Sequence, residues 1–157
     1  MKDIERDNNL YNKNGTDTIP IIIPSYEPDV RLLDLLKNLD SCNIGPIIVV
    51  NDGSDKKYDV FFSKVKKIVE RNSGKLLVHE VNRGKGRALK TAFEYVIHEI
   101  PQAVGVITAD SDGQHTTNSI GSVLHSLFEN PDYLVLGVRR FDIEGIPWKS
   151  RGGESAD

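Results

Sequence analysis

What most constrains this chain is an alternation of short β-branched runs with stretches of helical period. Ile19 to Ile23 is such a run, with prolines at its margins, and Val30 to Leu39 then carries Leu32, Leu35, Leu36 and Leu39 at the spacing of one helix face. The unit repeats. Ile47 to Val50 is the next apolar run, and Phe61, Val65, Ile68 and Val69 mark a second helix face. Leu76 to Val81 predicts a third strand. Leu89, Ala92, Phe93, Val96 and Ile97 predict the buried face of a third helix, which Pro101 prevents from continuing. Val104 to Thr108 predicts a fourth strand, Ile120, Val123, Leu124, Leu127 and Phe128 a fourth helix, and Tyr133 to Val138 a fifth strand. Alternation of this kind predicts an α/β fold, a mostly parallel sheet flanked by helices. Residues 1–17 are polar without an apolar period and predict a loose N-terminal arm; past Arg139 the regularity stops.

Right-handed crossovers bring every strand-to-helix loop to the same edge of such a sheet. Those loops are Pro24-Ser25-Tyr26-Glu27-Pro28, Asn51-Asp52-Gly53-Ser54-Asp55, Asn82-Arg83-Gly84-Lys85-Gly86-Arg87 and Asp110-Ser111-Asp112-Gly113-Gln114. They hold the chemically rich segments of the chain, and the carboxyl ends of parallel strands are where open α/β sheets bind ligands.

The last of these loops is the most specific. A buried strand that ends in two carboxylates, Asp110 and Asp112, with the Gln114 amide two residues on, offers three oxygen ligands for a hard cation. Mg²⁺ or Mn²⁺ prefers such donors and shares them with substrate phosphates. A calcium EF-hand would need Gly at the sixth loop position and Glu at the twelfth, where His115 and Gly121 stand. An N-cap by Thr116 or Thr117 accounts for the helix start but not for two acids directly after a buried strand, where unpaired charge is costly. Asp52-Gly53-Ser54 reads either as a turn in which the aspartate bonds nearby backbone or as a carboxylate accepting from a nucleobase imide. Gly84-Lys85-Gly86-Arg87 reads either as a solvated turn or as an anion site at a helix N-terminus. It is not a Walker loop, and Leu89 stands where the third glycine of a dinucleotide fingerprint belongs.

Bulk properties narrow the partners. A chain of 157 residues suits one domain, and its net charge of −3 provides no broad basic field, so no nucleic-acid partner is expected. A single cysteine, Cys42, excludes an internal disulfide, and no secretory h-region opens the chain, so a cytoplasmic location is expected. No run reaches the length needed to span a bilayer, so membrane contact is expected to be peripheral or to come from a part of the protein outside this sequence.

Four motifs together carry a resemblance. Ile22-Ile23-Pro24-Ser25-Tyr26-Glu27, Val49-Val50-Asn51-Asp52-Gly53-Ser54, Asn82-Arg83-Gly84-Lys85-Gly86 and Asp110-Ser111-Asp112-Gly113-Gln114 occur in the order found in the nucleotide-sugar half of family 2 glycosyltransferases. Gly137-Val138-Arg139-Arg140-Phe141 and Ile146-Pro147-Trp148-Lys149-Ser150-Arg151 resemble the segments that follow in dolichyl- or polyprenyl-phosphate sugar synthases. The resemblance covers residues 18–151 and implies a Rossmann-like GT-A fold, with 152–157 as an irregular tail. It also implies transfer of a sugar from a UDP- or GDP-sugar donor with inversion, to a polyprenyl-phosphate or cell-envelope glycan acceptor. On that resemblance Pro24, Tyr26, Glu27 and Asp52 would surround the base and ribose, with Lys85 and Ser111 near the nucleotide. Asp110, Asp112 and Gln114 would form the metal and diphosphate site, with Mg²⁺ or Mn²⁺, and Arg139 and Arg151 would hold an acceptor lipid phosphate. The family pattern continues beyond Asp157 with acceptor-side elements. The expectation is therefore a shortened chain whose alternative role is a non-catalytic nucleotide-binding fragment. Motifs this short encode neither the sugar nor the oligomeric state.

Overall fold

A computed structural model describes residues 17–130. The expected fifth strand, the Arg139 and Arg151 segments and the 152–157 tail lie outside the described residues, as does all but the end of the N-terminal arm.

Four strands, β1 (Ile21–Ser25), β2 (Ile47–Asp52), β3 (Lys75–His79) and β4 (Ile107–Thr108), pair in parallel in the order β3-β2-β1-β4. The helices are α1 (Val30–Ser41), α2 (Asp59–Arg71), α3 (Lys85–Glu99) and α4 (Thr117–Glu129), with a short 3₁₀ turn at Lys56–Tyr58 before α2. Side chains of β1 and β2 alternate between two cores. Ile21, Ile23, Ile47 and Val49 pack with α1, α2 and α4 on one face, and Ile22, Ile48 and Val50 pack with Ala88, Ala92 and Val96 of α3 on the other. Cover on both faces is why every residue of these two strands is buried and why each reads as an unbroken apolar run followed by polar ends.

Four elements depart from the sequence reading. The fourth strand has two residues rather than five: Thr18 bridges Ala103 but Ile21 pairs with Ile107, a one-residue slip across Pro20, which has no N–H to continue the ladder, and pairing resumes where Ile107 N–H reaches the Pro20 carbonyl at 2.9 Å. The third strand stops at His79, not Val81, because its partner β2 ends at Asp52 and Gly53 turns away with φ +71°. Phe93 and Ile97, read as core, are 37% and 72% exposed on the flank of α3, whose contact with the sheet is made by Ala88, Ala92 and Val96. Small residues let that helix lie close to the strands, and the close approach rotates the larger side chains outward. On α2 the fully packed aromatic is Phe62, with Phe61 half-buried beside it, rings edge to face at 5.8 Å.

The strand order reverses between β1 and β4, with α1 and α2 on one face and α3 on the other. That topological switch point is where an open α/β sheet forms its ligand crevice.

Candidate active site at the carboxyl edge of the sheet

Each strand ends in a loop whose local chemistry holds it over the crevice. After β1, Glu27 adopts φ 45° and donates its N–H to the Ser54 hydroxyl at 2.9 Å, while Ser54 N–H donates to Asn51 Oδ1 at 3.0 Å. The first and second loops are thus tied to each other. Asp29 caps α1 by accepting from Arg31 N–H at 2.9 Å. After β4, Asp112 Oδ1 accepts the Gln114 N–H at 3.0 Å and its Oδ2 accepts the Gln114 side-chain amide at 2.6 Å, and Thr116 caps α4 through Ser119 N–H at 3.1 Å. Gly113 at φ +76° closes this turn against the Arg31 side chain.

Asp52 organises the third loop. It is 3% exposed; its Oδ1 accepts from the His79 ring at 2.7 Å and from Arg83 N–H at 3.0 Å, and its Oδ2 accepts from Gly84 N–H at 2.9 Å. Burial pushes the Asp52 carboxyl up, but the bonds from His79 and the two amides outweigh it and hold the group below the ordinary carboxylate value. Gly84, at φ +91°, begins α3, and the space where side chains at Gly84 and Gly86 would stand is open. Gly84 and Lys85, at the N-terminus of α3, both line the crevice.

Lys85 meets Asp110 across the crevice through a charge-assisted hydrogen bond from its ammonium to Oδ1, and His115 Nε2 lies 3.5 Å from the other oxygen. Burial raises the Asp110 carboxyl, yet the Lys85 ammonium and then the His115 ring keep it below its ordinary value. The result is a cleft of about 320 Å³ lined by Pro24, Ser25, Tyr26, Asp52, Asn82, Gly84, Lys85, Asp110, Ser111 and Asp112. All four loops contribute. The Ser25 hydroxyl in its wall is buried with no hydrogen-bond partner among the described residues, an orphan that a bound polar ligand would satisfy.

The sequence of this cleft is matched by the family model for glycosyl transferase family 2 over residues 21–154. The chain belongs to that family. Over 98% of this chain it is 31% identical to an uncharacterised protein of Methanocaldococcus jannaschii, covering 60% of that protein. It is 29% identical over 136 residues to a UDP-N-acetylglucosamine–dolichyl-phosphate N-acetylglucosaminyltransferase of Methanococcus voltae, covering 77% of this chain and 51% of that enzyme. The chain thus spans between half and two thirds of the length of these curated relatives. No solved structure matches it significantly.

Within this glycosyltransferase domain the residues singled out from the sequence fall into distinct places. Pro24, Tyr26, Asp52, Lys85, Asp110, Ser111 and Asp112 line one cleft. Glu27 points outward from the first loop, and Gln114 turns its amide toward Asp112. Among the described residues no group of three or more His, Cys, Asp or Glu side chains is arranged as a metal cage. Asp110 and Asp112 nevertheless fit a hard divalent ion that takes its remaining oxygens from a diphosphate and water, as Mg²⁺ commonly does, and Lys85 shows that a cation is accommodated on Asp110. Among the described residues no helix is long and apolar enough to cross a membrane.

Asn82 and His79 were missed from the sequence. Asn82 lines the cleft from within a recognised loop. His79 ends an apolar strand as the register partner of Asp52, and the only signal for it, a polar residue at the end of Leu76-Leu77-Val78, acquires meaning once that register is known.

Proposed function

We propose that this domain binds the donor of a sugar-transfer reaction, a UDP- or GDP-sugar, in the cleft at the carboxyl edge of its sheet. The carrying observation is the convergence of four separate loops on one cleft that combines an aromatic residue, a helix N-terminus bearing Lys85 and two adjacent carboxylates. Tyr26, 51% exposed, offers a stacking face for the base, and the Asp52 loop sits beside it. The α3 N-terminus and Lys85 would hold diphosphate oxygens. Asp110 and Asp112 would hold Mg²⁺ or Mn²⁺, with Gln114 orienting Asp112. When bound, the ion supplies a Lewis acid that offsets the charge developing on the departing nucleoside diphosphate. Ser111, between the two acids, lines the same cleft and would meet the same phosphates.

The Methanococcus voltae relative supports UDP-N-acetylglucosamine as donor and a dolichyl-type lipid phosphate as acceptor. A phosphate acceptor is already an anionic nucleophile, so inverting transfer to it requires no strong general base. Arg139 and Arg151 are the proposed acceptor-phosphate ligands.

The test is thermal unfolding with UDP and with GDP, each with and without Mn²⁺. A nucleotide at 100 times its Kd adds about 2.7 kcal/mol to native stability, which corresponds to a shift of several degrees in a domain of this size. A metal-dependent shift with one nucleotide is expected. No shift with either removes the donor-site reading. Binding without release of nucleoside diphosphate in the presence of polyprenyl phosphate would identify a donor-binding domain rather than a complete transferase.

A further inference from the structure

We infer that His79 and Thr91 are positioning residues that act through Asp52 to hold the loop delivering Lys85 into the cleft. Neither lines the cleft itself. The His79 side chain is 9% exposed and bridges two elements: Nδ1 lies 2.7 Å from Asp52 Oδ1 at the end of β2, and Nε2 lies 2.9 Å from the Thr91 hydroxyl on α3. An ionised carboxylate only accepts, so Nδ1 carries the proton, and in the neutral ring Nε2 then accepts from Thr91. The tautomer is thereby matched at both ends. Asp52 in turn grips the Arg83 and Gly84 amides, the two immediately before Lys85. The network runs without a break from helix α3 through His79 and Asp52 to the backbone that launches the same helix, and Lys85 projects from its end onto Asp110. A continuous hydrogen-bonded chain of this kind, centred on the buried Asp52 carboxylate with its other members part-buried, restricts them to one arrangement. A carboxylate whose Oδ1 accepts from the ring and the Arg83 amide and whose Oδ2 accepts from the Gly84 amide fixes where the helix N-terminus starts.

Its consequence for ligand affinity rests on the donor-site reading, but its mechanical part does not. The experiment therefore has two readouts: amide hydrogen exchange at Arg83 and Gly84, and UDP affinity with Mn²⁺, for wild type, His79→Ala, His79→Asn, Thr91→Val and Thr91→Ser. His79→Ala and Thr91→Val should raise exchange at these two amides tenfold or more, with a smaller change in β1 and β2, and should weaken UDP binding severalfold. His79→Asn, whose amide N–H approximates the Nδ1 donor, and Thr91→Ser, which keeps the hydroxyl, should restore most of both. Unchanged exchange at Arg83 and Gly84 overturns the inference. So does a uniform rise across β1 and β2, which would make the pair scaffold alone. If wild type binds neither UDP nor GDP, the donor reading fails while the exchange data still decide this one. If His79→Ala does not fold, the Thr91→Val and Thr91→Ser comparison carries the test.

Discussion

At the scale of single residues, the carboxylates of the cleft differ in what their surroundings ask of them. Asp112 is partly exposed and held by Gln114, so Asp112→Asn removes a charge without opening the core. That variant should unfold within about 1 °C of wild type yet weaken Mn²⁺-dependent nucleotide binding by more than the roughly 10–100-fold typical of losing an outer-shell partner; calorimetric titration beside thermal unfolding measures both. Asp52 is the opposite case. Its folded value lies below the ordinary 3.8, so its ionisation contributes stability that is complete above the unfolded value and declines as pH falls through the lower folded one. The stability gap between wild type and Asp52→Asn should therefore be constant at neutral pH and close only below about pH 4, as read from urea titrations across pH. A gap that stays open well below pH 4, or closes well above it, would overturn the assignment to the Asp52 carboxylate.

At the scale of elements, helical period defined the apolar faces, but packing decided their edges. Phe62 on α2 is 4% exposed whereas Phe93 on α3 is 37% exposed. Phe62→Ala should cost about 3–5 kcal/mol, the usual range for a buried aromatic, and Phe93→Ala should cost less than half as much. Chemical denaturation of the two variants checks the contrast, and equal losses would mean that α3 carries its aromatic into the core. Both Phe61 and Phe62 fit a 3.6-residue repeat through Val65 and Val69, and only the contact of α2 with α1 and the sheet chose between them. Strand ends were equally ambiguous from sequence, since Pro20 interrupts β4 from a neighbouring strand rather than from within it.

At the scale of the whole domain, β1 and β2 are buried on both faces, while β3 forms one edge of the described sheet with Lys75 and Val78 open to solvent. Native-state hydrogen exchange should accordingly find β1 and β2 amides slowest and β3 amides about tenfold or more faster, a difference of about 1.4 kcal/mol in opening free energy. Protection of β3 equal to that of β1 would mean that another segment covers this edge. The alternation of apolar runs and helical faces determined the α/β class. It also determined that four polar loops share one sheet edge, because side-chain periodicity is local and crossover handedness is general. The placing of Asp110 and Asp112 on that edge was legible for the same reason, whereas the buried strand expected before them is short, with Thr108 and Val104 exposed. Tertiary structure alone decided that Lys85 meets Asp110 and that His79 meets Asp52 and Thr91. It also decided that α3 turns Phe93 away from the sheet. These depend on strand register and helix rotation, which are set by contacts between residues far apart in the chain and leave no trace in the spacing around any one of them.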